Sequence, residues 1–98
     1  MAYTLDDIKE KVAPVARKYG VDSVSVFGSY ARGNANENSD VDLCIDKGNV
    51  KSLIQYFSLV NDLEEVLNCH VDVVTTDIRD REFLVSIQKE GIMVYGGK

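Results

Sequence analysis

Apolar residues recur at helical spacing in three stretches of the chain. The first begins at Thr4, which with Asp7 three positions later resembles a helix N-cap followed by an acidic third residue. Gly20 is a typical helix end, and Pro14 inside the stretch is expected to kink the helix or split it in two. The three predicted helices cover residues 5–19, 50–67 and 80–90.

The second and third helices are both predicted to be amphipathic, with an apolar face that packs on a sheet. The predicted faces are Leu53, Ile54, Phe57, Val60, Leu63, Val66 and Leu67 in the second helix, and Phe83, Leu84 and Ile87 in the third.

Four stretches have the alternation or β-branched composition of strands, at residues 21–27, 40–46, 71–75 and 92–95. Residues 30–33 are expected to form a short helical turn or a tight loop. The order of elements predicts an α/β (α+β) fold, in which helices pack on a single mixed sheet of about four strands. At 98 residues, one domain over 1–98 is expected.

Charge and cysteine content limit the classes of function. Acidic residues outnumber basic ones 16 to 11, so direct nucleic-acid binding is not expected. A basic partner protein, or a small substrate that is bound together with a cation, is more compatible with this negative charge. Cys44 and Cys69 are too few for a disulfide framework and suggest reduced thiols in a cytoplasmic protein. The polar N-terminus does not resemble a signal peptide, and no apolar run is long enough for a membrane span.

Three features suggest a site for phosphate and metal. Gly28 and Ser29 end the first strand, where a glycine lets backbone N–H groups approach phosphate oxygens, although an ordinary turn has the same sequence. Asp40 and Asp42 project from one face of the second strand, where the two carboxylates could bind Mg²⁺. Two solvated acids at the edge of a sheet would show the same pattern. Asp72 is the one acid of a strand expected to be mostly buried, where a carboxylate needs a cation, a donor or a chemical role.

The combined pattern is more specific than its parts. The string FGSYARGNANENSDVDLCID places ten residues between Gly-Ser and Asp-x-Asp, with a lone strand acid later in the chain. It resembles the signature of the nucleotidyltransferase superfamily that includes DNA polymerase beta, and most closely its minimal nucleotidyltransferase branch. The resemblance implies phosphate binding by Gly28 and Ser29, and a catalytic triad of metal ligands formed by Asp40, Asp42 and Asp72.

The resemblance also implies the cofactor and reaction: AMP is transferred from ATP, with two magnesium ions, to an acceptor hydroxyl. Arg32, next to the glycine-serine pair, is expected either to bind phosphate or to pair with a surface acid such as Glu37. His70 is assigned a hydrogen-bonded structural or surface role, and the acids Asp62, Glu64 and Glu65 a solvated face. The roles of Arg79, Arg81 and Tyr30 stay open.

Three functions are compatible with this resemblance. Minimal members resemble antitoxins that adenylylate a tyrosine of a HEPN-type ribonuclease toxin, and the small acidic chain favours this reading. A small-molecule nucleotidyltransferase similar to aminoglycoside-modifying enzymes is the enzymatic alternative, although those carry an additional domain. The third possibility is an antitoxin without catalysis that neutralises its partner by binding.

Overall fold

The computed structural model describes residues 3–36, 38–77 and 79–96. Helices and strands follow one another in the predicted order, with a short helix between the first two strands. The helices are α1 (Leu5–Tyr19), α2 (Ser29–Arg32), α3 (Leu53–Leu67) and α4 (Arg81–Glu90), and the strands are β1 (Ser23–Phe27), β2 (Val41–Asp46), β3 (Val71–Thr75) and β4 (Ile92–Gly96).

The four strands form one mixed sheet, as predicted. Their order is β3-β2-β1-β4, with β2 parallel to β3 and β1 antiparallel to both β2 and β4. The end of β1 therefore lies beside the beginnings of β2 and β3, so the loops at this edge bring their side chains together. No helix in the described part of the chain is long and apolar enough to cross a membrane.

The helix boundaries follow from capping interactions. Thr4 and Asp7 form the reciprocal capping box of α1, and Gly20 ends the helix with φ of 70°. Pro14 does not split α1, because buried residues on both sides of it hold the helix against the sheet. The predicted start of the second helix at residue 50 was wrong: α3 begins after Ser52, which forms a capping box that the apolar spacing does not reveal.

The main core lies between one face of the sheet and the helices α1 and α3. The α3 residues that enter it are spaced four apart, so only one narrow stripe of this helix is buried. Part of the predicted apolar face of α3 was therefore wrong, since Leu53, Ile54 and Phe57 are 73%, 79% and 63% exposed. The fully buried residues of α3 are Leu59, Leu63 and Leu67.

The opposite face of the sheet is covered by α4. Leu84 and Ile87 pack with Cys44 in a second, smaller cluster, whereas Phe83, predicted to lie on the same apolar face, is 47% exposed. Successive residues of β2 point to opposite faces, so Asp42 shares the α4 side of the sheet with Cys44. The carboxylates of β2 therefore lie outside the main core, where solvent and a ligand can reach them.

Candidate active site

Three of the predicted site residues come together where β2 and β3 begin. Asp42 and Asp72 are register partners in the parallel β2–β3 pair, and Asp40 immediately precedes β2. Asp40, Asp72 and His70 each offer a ligand atom, and these atoms all lie within 4.8 Å of one another. The neighbouring strands thus bring together the acids that the signature singles out.

The surroundings of Asp72 differ from those expected. The sequence predicted a mostly buried strand and hence a costly buried carboxylate, but β3 is an edge strand and the Asp72 side chain is 53% exposed. Asp72 also has a partner, because Nε2 of His70 donates to its Oδ1 at 2.9 Å. The expectation that Asp72 needs a cation or a chemical role because it is buried therefore does not hold.

His70 is exposed and hydrogen-bonded, as predicted, but the sequence analysis did not place it beside Asp40 and Asp72. Its Nδ1 lies 3.3 Å from Oε2 of Glu64, so the imidazole bridges two carboxylates, those of Glu64 and Asp72. The hydrogen bond and the negative charge of Asp72 raise the pKa of His70 above its ordinary value. Glu64 also accepts a hydrogen bond from the backbone of Val71, so its assignment to a purely solvated face was wrong.

The turn after β1 lies directly against the acids. Gly28 has φ of 70° and ψ of −148°, and a Cβ atom on it would lie 2.2 Å from Oδ2 of Asp42. Only glycine tolerates both this conformation and this approach. The next residue, Ser29, opens α2, so the predicted phosphate-binding pair adjoins the predicted metal ligands.

Arg32 lies one helical turn beyond Gly28 and pairs with an acid, as one of the two predicted alternatives stated, but the acid is Glu90. Its Nη1 donates to Oε1 of Glu90 at 2.7 Å, and the backbone N–H of Gly28 donates to the same oxygen at 3.0 Å. Glu37, the acid suggested as a partner for Arg32, lies outside the described residues. Glu90 is thus a second residue of this region that the sequence analysis missed.

Clustered negative charge makes the site suitable for a cation. Partial burial raises the pKa of Asp42, and the neighbouring carboxylates of Asp72 and Asp40 raise it further. Hard carboxylate oxygens are the ligands that Mg²⁺ prefers, and one oxygen each of Asp40 and Asp72 lie within 4.8 Å of each other. The donor set therefore suits a hard divalent cation such as Mg²⁺.

Acids on adjacent strands, next to a glycine-serine turn on a mixed sheet, define a nucleotidyltransferase class of site. The sequence matches the family described as Polymerase beta, Nucleotidyltransferase over residues 10–98. The chain therefore belongs to this family, as its Gly-Ser and Asp-x-Asp signature predicted.

Individual relatives agree with this assignment. A Methanocaldococcus jannaschii protein, provisionally named a protein adenylyltransferase, is 45% identical over 71 residues, which are 72% of this chain and 76% of that protein. A solved structure provisionally described as a minimal nucleotidyltransferase is 30% identical, with a TM-score of 0.78, and the match covers 92% of this chain and 95% of that one.

A further solved structure is similar in fold alone. It is described as the tri-AMPylated HEPN toxin of Shewanella oneidensis in complex with an MNT antitoxin, and the matched chain is 18% identical with a TM-score of 0.69. The match covers 92% of this chain and 71% of that chain. The two chains therefore share a fold.

Proposed function

We propose that this protein is a protein adenylyltransferase that transfers AMP from magnesium-bound ATP to a hydroxyl of a partner protein. The observation that carries the proposal is the convergence of Asp40, Asp42 and Asp72 beside the Gly28–Ser29 turn. The name of the Methanocaldococcus jannaschii relative supports the same reaction. A cytoplasmic location, suggested by the free thiols of Cys44 and Cys69, belongs to this proposal.

The proposed acceptor is a tyrosine of a HEPN-type ribonuclease toxin, which makes this chain the antitoxin of the pair. Support comes from the similar fold of the MNT antitoxin that is bound to an AMPylated HEPN toxin. The exposed apolar side chains of Leu53, Ile54 and Phe57 on α3 leave surface available for a protein partner.

In the proposed reaction, the acceptor oxygen attacks the α-phosphorus of ATP, the bond to the β-phosphate oxygen breaks, and pyrophosphate leaves. The proton of the acceptor hydroxyl passes to Asp72, whose exposed carboxylate faces solvent. Gly28, Ser29 and Arg32 would hold the phosphates, and Asp40, Asp42 and Asp72 would hold two magnesium ions. When bound, magnesium would acidify the acceptor hydroxyl and neutralise charge on the phosphates.

Two other functions compete with this proposal. Transfer to a small molecule requires an acceptor pocket, and the groove that contains Ser39, next to Asp40 in the chain, is open to solvent and is also lined by Tyr3, Asn68 and Cys69 among others. Neutralisation by binding alone would require no carboxylate triad. The clustering of the acids next to Gly28 favours catalysis over neutralisation by binding alone, whereas the open groove favours a protein acceptor over a small molecule.

Isotope transfer tests the reaction directly. The protein is purified with the partner that it binds in its host and is incubated with Mg²⁺ and ATP labelled at the α- or the γ-phosphate. The proposal predicts that only the α-label becomes attached to the partner and that Asp40→Asn abolishes the transfer. Asp46→Asn, which changes an acid at the far end of β2, is the matched control and should leave transfer intact. Transfer of the γ-label, or full activity in Asp40→Asn, would contradict the proposal.

A further inference from the structure

Two donors of the proposed phosphate subsite already hold an anion that belongs to the chain. Oε1 of Glu90 accepts from the backbone N–H of Gly28 at 3.0 Å and from Nη1 of Arg32 at 2.7 Å. Glu90 is 62 residues from Gly28 in sequence, so the fold, and not local chain geometry, brings them together. The carboxylate oxygen thus lies where an oxygen of a phosphate group would be bound.

A carboxylate and a phosphate compete for such donors. Each N–H group donates fully to one acceptor, and both anions carry the charge that Arg32 pairs with. A triphosphate entering this subsite would also be repelled by a carboxylate at contact distance. Glu90 and a phosphate therefore cannot share the single N–H of Gly28, and they compete for the charge of Arg32.

We propose that Glu90 occupies the phosphate donors of the nucleotide-free protein and that a nucleotide has to displace it. The inference rests on the proposed function, because it takes the Gly28 turn and Arg32 as the phosphate subsite. Glu90 is then a specificity-determining residue, since a ligand with several phosphate groups replaces its two hydrogen bonds and a ligand without phosphate does not.

The contact is arranged so that it can be released. Glu90 is the last residue of α4, where the negative end of the helix dipole is unfavourable for a carboxylate. The two donors offset that effect, and the side chain is 35% exposed, which leaves it a path into solvent. When Glu90 leaves, the Gly28 turn keeps its own backbone contact, because the backbone N–H of Arg32 donates to the carbonyl oxygen of Gly28 at 3.0 Å.

Occupied donors lower the apparent affinity for nucleotide in proportion to the fraction of molecules in which they are occupied. Since an exposed charge pair is worth up to about 1 kcal/mol, Glu90→Gln is expected to bind Mg-ATP roughly twofold to fivefold more tightly than the natural protein. Adenosine, which has no phosphate groups, should bind equally to both.

The test is isothermal titration of the full chain with Mg-ATP and with adenosine. The matched control is Glu82→Gln, which removes the same charge from the first turn of the same helix, about 12 Å along its axis from Glu90. Tighter Mg-ATP binding by Glu90→Gln alone, with adenosine unchanged, would support the inference. Equal or weaker Mg-ATP binding by Glu90→Gln, when the natural protein binds Mg-ATP, would overturn it and leave the proposed function standing.

The remaining outcomes are also decisive. If Glu82→Gln also binds Mg-ATP more tightly, or if Glu90→Gln also binds adenosine more tightly, the inference that nucleotide displaces Glu90 would be overturned. The gain would then be a general effect of removing a negative charge. The absence of Mg-ATP binding in every variant would overturn both the inference and the proposed function. If Glu90→Gln does not fold, the carbon-13 signal of the Glu90 carboxyl in the natural protein replaces it: the signal should move when magnesium pyrophosphate is added, and a stationary signal would overturn the inference.

Discussion

Asp42 and Asp72 face each other as register partners on the parallel strands β2 and β3. Partial burial and the charges of Asp72 and Asp40 raise the pKa of Asp42 above its ordinary value. A raised carboxyl pKa means that the folded protein favours protonated Asp42; the resulting stabilisation is complete below the ordinary pKa and is lost as the pH rises through the raised one.

The first prediction follows from this relationship. At neutral pH and without metal, Asp42→Asn is expected to stabilise the fold, by a few tenths to about 1 kcal/mol, because it removes a like-charge pair. Mg²⁺ should raise the melting temperature of the natural protein and not that of the variant. Thermal unfolding with and without Mg²⁺ measures both effects, and a destabilised variant would show that the acids do not repel one another.

The close approach of Gly28 to Asp42 yields a second prediction. Gly28→Ala would place a Cβ 2.2 Å from a carboxylate oxygen in a conformation with positive φ, so we expect a loss of about 2–3 kcal/mol of stability together with loss of ATP binding. Gly33→Ala is the matched control, because Gly33 also has positive φ (80°) but no atom within 4 Å of the added Cβ. It should cost about 1 kcal/mol and keep ATP binding. Equal losses of stability and of ATP binding in Gly28→Ala and Gly33→Ala would contradict a role for the close contact between Gly28 and Asp42.

His70 can be followed alone, because it is the single histidine of the chain. Its pKa is raised mainly by Asp72, so the stabilisation it provides is complete below its ordinary pKa and is lost as the pH rises through the raised one. Asp72→Asn should lower the pKa of His70, and Mg²⁺ should lower it in the natural protein by competing for Asp72. Proton NMR titration of the imidazole ring measures each shift. A pKa that is the same in Asp72→Asn would contradict the contact.

A contact between α1 and α3 gives a prediction remote from the site. Asp62 accepts hydrogen bonds from Tyr19 at 2.7 Å and from Lys18 at 3.1 Å, and these bonds lower the pKa of Asp62. A lowered carboxyl pKa stabilises the fold at pH values above the ordinary pKa of the group. This stabilisation is lost as the pH falls through the lowered pKa. Asp62→Asn should therefore be less stable than the natural protein at neutral pH and equally stable in acid, as denaturant unfolding at the two pH values would show. A difference independent of pH would point to packing instead of charge.

The sequence predicted the elements well because their signals are local. Thr4 and Gly20 mark the ends of α1, and β3 has the predicted bounds of Val71–Thr75. Burial was harder to predict, because it depends on which strand lies at the edge of the sheet. The exposure of Asp72 follows from the strand order, which the alternation within β3 does not specify.

The two missed residues of the site differ in how far they could have been found. His70 and Asp72 are two residues apart, and the same alternation that paired Asp40 with Asp42 would have placed them on one side of the chain. Glu90 had no such signal, since its contacts with Gly28 and Arg32 span 62 and 58 residues. Only the packing of α4 against the sheet brings it to the turn.

The most direct test of the proposed function is the intact mass of the partner protein that copurifies with this chain from its host. The comparison is between the natural protein and Asp40→Asn. Adenylyl transfer predicts a partner heavier by one or more AMP groups only with the natural protein, with the modification on a tyrosine. A partner of unchanged mass that is nevertheless neutralised by both proteins would contradict catalysis and identify an inhibitor that acts by binding.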